Sequence, residues 1–209
     1  PSQGLAKGSI VNVSEAQEAI RASLAQGQRY LGRNIPWAYV SISGRQITCL
    51  NATGLTQSPA QEGPVSLEDV HHLIKASHPK VGAEKEVIHV IPVNYQIDGL
   101  RGVRNPVGLH ADRLQVESHV VLGDRPLVQD TMRAVESSGI SVRGLVLGVL
   151  ASSEATLSEH EKEMGVVLID IGDGASDIGI FKRGSLWYNA SIPVGGRQLT
   201  KDLSVALGM

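Results

Sequence analysis

The sequence predicts an α/β chain interrupted by a small α+β unit. Two observations carry the prediction. Helix and strand signals alternate on both sides of residues 45–122, and that middle stretch instead reads strand, helix, strand, strand. Further on, the apolar run Val166-Val167-Leu168-Ile169 enters the acidic, glycine-rich turn Asp170-Ile171-Gly172-Asp173-Gly174-Ala175-Ser176-Asp177. A second strand, Ile178-Gly179-Ile180, leaves it.

Each element has its own warrant. Ser14-Glu15-Ala16-Gln17 has the form of a capping box, and Ala16, Ala19, Ile20 and Leu24 follow at helical spacing, which predicts a helix over 14–27. Gly27, Gly32 and Asn34-Ile35-Pro36 should break it. A strand over 37–43 follows. Residues 46–55 read as one strand, or as two short ones around Asn51-Ala52-Thr53-Gly54, and 59–64 as a loop. Ser66-Leu67-Glu68-Asp69 opens a capped helix with Leu67, Val70, Leu73 and Ile74 on its apolar face. The strand over 86–97 contains Pro92, which requires an edge or a bulge. Leu114, Val116, Ser118 and Val120 alternate as the next strand, over 114–122. Arg125-Pro126 starts a third helix, with Leu127, Val128, Met132 and Val135 inward and Gly139 as its stop. Residues 142–149 have so little polarity that a strand buried on both faces is expected. A short helix over 151–157, a strand over 185–192 and a helix opened by Gly195-Gly196, carrying Leu199, Leu203 and Leu207, complete the order.

Composition narrows the function classes. The chain is 42% hydrophobic but has one Phe and two Trp, so its core is built from Val, Ile, Leu and Ala. A net charge of -2 without a basic stripe argues against nucleic acid as the main partner. The lone Cys49 cannot form an internal disulfide, which suits a reducing cytoplasm. No signal peptide is visible, and no apolar run approaches the ~20 residues of a spanning helix. The chain reads as a piece of a longer protein that stops inside its last helix, near Gly208-Met209.

The acidic turn carries the chemistry. Its glycines let the backbone approach a phosphate, and successive N–H groups in such a turn form an anion-binding nest. Asp170 and Asp173 suit a hydrated Mg²⁺, which reaches proteins through one or two carboxylates. The residues alone leave open a plain surface hairpin with a Gly-Asp-Gly turn. Asp177 is expected to brace the hairpin or cap a neighbour. His71, His72 and His78 do not converge as an i, i+4 pair would and read as a solvated helix face. His89, His110 and His119 are scattered, and Ser137 and Ser158 lack a His-Asp constellation. Cys49 reads as a small buried hydrophobe.

The element order, the Asp-x-Gly-x-Gly hairpin and the Gly-Gly helix start resemble the actin-like (ribonuclease H-like) ATPase superfamily. Its members hold nucleotide between two α/β domains, and Asp170-Ile171-Gly172-Asp173-Gly174 is similar to its second phosphate-binding loop. The middle of the chain selects a member. The segments His89-Val90-Ile91-Pro92-Val93-Asn94-Tyr95-Gln96-Ile97-Asp98-Gly99, Gly102-Val103-Arg104-Asn105-Pro106-Val107-Gly108-Leu109 and Arg113-Leu114-Gln115-Val116-Glu117-Ser118-His119-Val120-Val121 resemble the FtsA family of bacterial cell-division proteins. So do Ile192-Pro193-Val194-Gly195-Gly196 and Leu199-Thr200-Lys201-Asp202, and the resemblance covers nearly the whole chain.

That resemblance implies a partial actin-like fold. Residues 1–44 and 123–160 would belong to subdomain 1A, 45–122 to the inserted subdomain 1C, and 161–209 to the start of subdomain 2A. It implies ATP and Mg²⁺ in the full-length protein, contacted by Asp170, Gly172, Asp173, Gly174, Ala175, Ser176, Gly195 and Gly196, with Asp170 reaching Mg²⁺ through water. No residue is assigned as a catalytic base, so hydrolysis would be slow at most. The family's Asp-x-Gly-Thr loop, adenosine pocket and membrane-binding amphipathic helix are not among the 209 residues, so this chain is expected to hold half a site and no nucleotide of its own. Where the family has Gly-Gly-Thr-Thr-Asp, this chain has Gly172-Asp173-Gly174-Ala175-Ser176-Asp177, which leaves Ser176 as the hydroxyl. The implied partners are FtsZ, further copies in a filament, later division proteins on subdomain 1C, and the inner membrane through the C-terminal helix. The implied place is the cytoplasmic face of the membrane at the division site. Arg101, Arg104, His110, Asp112 and Arg113 are the expected docking residues, on a loop between two strands. A type IV pilus assembly protein and a sugar-kinase-like enzyme share the layout and remain alternatives. Uncovered apolar faces in the 2A part predict dimerisation or domain swapping.

Overall fold

The computed structural model describes residues 3–57 and 63–209, so the expected loop over 59–64 lies largely outside the described residues. The chain opens with a hairpin too short for any periodicity to announce, β1 (Leu5–Ala6) and β2 (Ser9–Ile10). Helix α1 (Val13–Leu31) starts one residue earlier than expected and ends four residues later. Its N-cap is Asn12, whose side chain accepts the Glu15 N–H. Gly27 does not break it, because an interior glycine costs only about 1 kcal/mol. The stop is Gly32, which is left-handed at φ 64°.

Strand β3 (Trp37–Ile42) runs into the inserted unit, which contains β4 (Ile47–Gln57), α2 (Leu67–Ala76), β5 (Lys85–Ile97), β6 (Leu100–Val103) and β7 (Arg113–Asp124). The four strands form an antiparallel sheet in the order β4-β7-β5-β6. Residues 47–57 are thus one strand rather than two. β6 was not expected, although the left-handed Asp98-Gly99 pair that turns the chain into it is a recognised hairpin signal. Pro92 lies at a register shift and beyond the reach of β6, which pairs only with the end of β5, so both of its expected settings occur. α2 covers one face of the sheet. Val65, Val70, Leu73, Tyr95, Ile97, Leu114 and Val116 form the core there, while Leu67 at the helix start is exposed.

The chain then re-enters the α/β part with α3 (Arg125–Glu136), β8 (Ser141–Leu147), α4 (Gly148–Thr156) and α5 (Glu159–Met164). α3 ends at Glu136, capped by Ser137, short of Gly139. β8 pairs in parallel with β3 alone among the described residues. Its expected burial on both faces does not hold. Leu147 is buried, but Ser141 and Arg143 are exposed, and the Arg143 guanidinium stacks 4.3 Å from the Trp37 ring. Composition reported the apolar character of the strand, not how many neighbours it has. The last unit is the antiparallel sheet of β9 (Val166–Ile171), β10 (Ser176–Lys182) and β11 (Ser185–Ile192), followed by α6 (Gly196–Leu207). A second core joins all these parts: Ile42, Ile47, Val121, Leu147, Val149, Phe181 and Leu186. Among the described residues no helix is long and apolar enough to cross a membrane.

Candidate functional site

Alternation along β9 and β10 sorts the hairpin into two faces. Val167, Ile169 and Ile171 point outward and are exposed, while Val166, Leu168 and Asp170 share the inner face with Asp177, Gly179 and Phe181. Asp170 and Asp177 are direct cross-strand partners. Like charges in that relation oppose pairing, so each carboxylate needs compensation. Asp170 Oδ2 accepts the Ser152 hydroxyl at 2.5 Å, and Asp177 Oδ1 accepts the Gly44 N–H at 3.4 Å. Both line a cavity of about 320 Å³ whose other walls are Gly8, Ser41, Ser43, Gly148 and Ala151 with the turn residues Gly172, Asp173, Gly174 and Ala175.

The turn is held from behind. The Gly172 N–H donates to Ala175 O at 2.9 Å, closing the hairpin. The Gly196 and Arg197 N–H groups donate to Gly172 O and Asp173 O, each at 2.9 Å, so the first turn of α6 rests on the carbonyls of the acidic turn. Arg197 also pairs with the Asp173 carboxylate at 2.6 Å, and the Ser176 hydroxyl donates to Val194 O at 2.8 Å. The expected contact residues therefore divide. Asp170, Gly172, Asp173, Gly174 and Ala175 face the cavity. Ser176, Gly195 and Gly196 brace the turn, and the Ser176 and Gly196 donors are already engaged.

The cavity is acidic. With Asp173 offset by Arg197, Asp170 and Asp177 remain, so a cation is favoured first and a polyphosphate only with its metal. Two carboxylates fit Mg²⁺, which keeps most of its waters or takes phosphate oxygens. Among the described residues no three His, Cys, Asp or Glu side chains converge as a protein-only metal cage. Ser41 of β3, Ser43 just after it, and Gly148 and Ser152 of α4 reach the cavity, and no local pattern in the sequence marks them.

The expected docking residues are all exposed but do not share one loop. Arg101 lies within β6, Arg104 just after it, His110 and Asp112 in the following loop, and Arg113 at the start of β7. Arg104 is ion-paired with Glu163 of α5, and the Arg113 N–H donates to Asp98 Oδ1 at 2.7 Å. His71, His72 and His78 are exposed. Cys49 is only half-buried, with Sγ donating to Asn189 O at 3.3 Å.

Comparison with known proteins matches these parts. The family model described as "SHS2 domain inserted in FTSA" matches residues 44–122, and that of "Cell division protein FtsA" matches residues 167–209. The chain belongs to the FtsA family. FtsA of Escherichia coli strain K12 is 34% identical over 209 residues, which is 100% of this chain and 49% of the relative. FtsA of Pseudomonas aeruginosa is 36% identical over 208 residues, 99% of this chain and 49% of the relative. FtsA of Bacillus subtilis is 34% identical over 208 residues, 99% of this chain and 47% of the relative. The chain thus spans about half the length of the FtsA proteins it matches.

Solved structures give the fold. A chain of the PilM-PilN type IV pilus biogenesis complex superposes with a TM-score of 0.65 at 12% identity, over 100% of this chain and 56% of its own. The ethanolamine utilization protein EutJ from Carboxydothermus hydrogenoformans does so with a TM-score of 0.52 at 13% identity, over 98% of this chain and 45% of its own. The fold is a partial actin-like α/β fold with an inserted α+β unit.

Proposed function

We propose that this chain carries the second phosphate-binding hairpin and the inserted docking unit of an actin-like division protein. In a protein of its relatives' length, the cavity would take the phosphates of ATP with Mg²⁺. The observation that carries this reading is the Asp170–Asp177 cross-strand pair facing a cavity beside a glycine-rich turn. Opposed carboxylates weaken a hairpin, and a cation beside them would offset the repulsion that the Ser152 and Gly44 hydrogen bonds only lessen. Asp170, oriented by Ser152, would hold a metal-bound water, and the backbone of Gly172–Gly174 would approach the phosphates. Gly195 and Gly196 would keep the turn in shape. The chemistry is a nucleotide-linked switch, and no residue of the cavity is placed as a general base.

In this reading residues 1–44 and 123–160 belong to subdomain 1A, 45–122 to 1C and 161–209 to 2A. Filament formation, anchoring of FtsZ to the inner membrane and recruitment of later division proteins through 1C are part of this proposal for the protein of full family length, and family membership supports them. Support for docking on 1C is the exposure of Arg101 in the edge strand β6, of His110 and Asp112 on the loop that leads into β7, and of Arg113 at the start of that strand.

The test uses Mn²⁺, a paramagnetic stand-in for Mg²⁺, on the ¹⁵N-labelled chain. Amide signals of residues 170–177 should broaden first, and the Asp170→Asn, Asp177→Asn chain should lose the effect. Broadening spread evenly over the surface carboxylates would overturn the proposal. Adding ATP with the metal then reads whether Gly172–Gly174 shift together.

A further inference from the structure

The inserted sheet touches different things on its two faces. One faces α2, where Ser118 Oγ lies 3.0 Å from Ser77 Oγ. The other faces the hairpin sheet, and there β7 presents His119. This side chain is 1% exposed and sits between two asparagines. Its Nε2 lies 2.8 Å from Asn189 Oδ1 on β11, and its Nδ1 lies 3.0 Å from Asn51 Oδ1 on β4. Asn189 is itself buried, and its main-chain oxygen receives the Cys49 thiol.

This polar seam leads to the candidate nucleotide cavity. Asn189 is the cross-strand partner of Gly179. Two residues along each strand, Ser191 pairs with Asp177, which lines the cavity and accepts the Gly44 N–H from the turn that precedes β4. The Ser191 hydroxyl is buried and without a hydrogen-bond partner among the described residues. At the far end of β11 the Ser185 hydroxyl donates to Pro92 O at 3.2 Å, and beside it Arg104 pairs with Glu163.

We infer that His119 is a positioning residue that fixes the inserted sheet to the phosphate hairpin, so that displacing either one displaces the other. An apolar contact at this place would tolerate sliding, because hydrophobic burial has no direction. A buried hydrogen bond has one geometry, and breaking it strands the buried amide of Asn189. The seam is therefore either made or broken. A ligand that moves the hairpin and a partner that moves the inserted sheet are linked through it, each shifting the other's affinity by the same factor. The inference rests on side chains within this chain and holds whatever ligand the hairpin takes.

Hydrogen–deuterium exchange on the 209-residue chain tests it. Three chains are compared: wild type, His119→Ala, and Val116→Ala, whose side chain lies in the other core, under α2. His119→Ala should speed exchange tenfold or more in β10, β11 and the turn at Gly172–Ser176, as well as in β4 and β7. Val116→Ala should speed it in the inserted sheet only. Asn189→Ala, made on the hairpin side, should in turn loosen β4 and β7. The inference is overturned if the His119→Ala pattern stays inside the inserted sheet, or if Val116→Ala loosens the hairpin equally. His119→Gln, which can keep one of the two hydrogen bonds, decides the matter if the alanine chain does not fold. It should raise exchange at the hairpin to an intermediate degree, and no rise there also overturns the inference.

Discussion

Gly195 stands where a side chain has no room. A Cβ there would lie 2.4 Å from Gly172 O and 2.6 Å from Asp173 O, the two carbonyls that hold the start of α6. Gly195→Ala must lever the helix off the turn and should cost on the order of 1–3 kcal/mol, read as a lower urea midpoint. Gly82 is the contrast, since nothing lies within 4 Å of its would-be Cβ and its φ is ordinary. Gly82→Ala should be neutral or gain about 0.4–1 kcal/mol by restricting the unfolded chain. Equal losses at both positions would refute the packing argument. Gln46 makes a second demand on its surroundings. It is buried, its Nε2 donates to Gly8 O at 2.8 Å and to Ser43 O at 2.5 Å, and its Oε1 accepts the Ser9 hydroxyl at 2.6 Å. It ties the β1–β2 turn to the β3–β4 turn, two walls of the cavity. Gln46→Leu removes every one of these bonds and should cost about 3 kcal/mol, at ~1–3 for each buried group left unpaired. A urea midpoint unchanged from wild type would show that the knot carries no stability. Residues such as Asp170, Gly172 and Gly174 were legible in the sequence because they are consecutive and chemically distinctive. Ser43 and Ser152 were not, because only the fold brings them to the cavity, and neither was Gln46, which the fold sets behind its walls.

Short elements escape periodicity, and their ends are set by single side chains. The Ser-x-x-Asp signal at the start of α2 is a complete capping box. Ser66 Oγ accepts the Asp69 N–H at 3.1 Å, and the Asp69 carboxylate accepts the Ser66 N–H at 2.8 Å. Ser66→Ala should cost about 1 kcal/mol, and Ser66→Gly only a few tenths, in urea denaturation. If both substitutions cost the same, the cap is not what stabilises this end. The same reciprocal pattern at Ser158 and Glu161 opens α5, but six residues cannot display a helical stripe, so the box alone did not suggest a helix. At α1 two polar residues, Asn12 and Ser14, flank Val13 as candidates for the cap. Asn12 takes it, and Ser14 lies within the first turn. β1, β2 and β6 have two to four residues each, too few for alternation to register. Longer elements with a clear apolar face, α2, β7 and the β9–β11 hairpin sheet, were all placed from sequence, although their neighbours were not.

The molecule as a whole carries two consequences of what it buries and what it leaves bare. Burial disfavours the charged form of two histidines. His89 Nε2 accepts the Leu147 N–H at 3.0 Å, which requires that nitrogen to be unprotonated, and burial holds its pKa below the usual 6.5. Burial lowers His119 likewise, partly offset by its contact with Asn189. Below pH 6.5 the unfolded chain takes up these protons and the folded chain resists them, so stability is full above 6.5 and falls as the pH drops toward the folded-state values. The urea midpoint should therefore be lower at about pH 5.5 than at about 7.5. A flat profile across that window would contradict lowered pKa values at these two rings.

Apolar surface is also left exposed. β9 is the outer strand of its sheet, and Val167, Ile169 and Ile171 face solvent together with Ile180, Tyr188 and Ile192 from the strands beside it. Leu199, Leu203, Val205 and Leu207 of α6 are exposed as well. A free strand edge next to a continuous apolar face is a template for association, and no lysine or proline blunts β9. This chain should therefore self-associate, with a sedimentation coefficient that rises with concentration. Ile169 is 57% exposed, so Ile169→Lys should cost little stability. It places a charge where natural edge strands carry one and should return the chain to a monomer. A wild-type chain that sediments as a single monomeric species at every concentration would show that this face is too weakly apolar to pair. A lysine variant that still dimerises would place the contact on α6 instead.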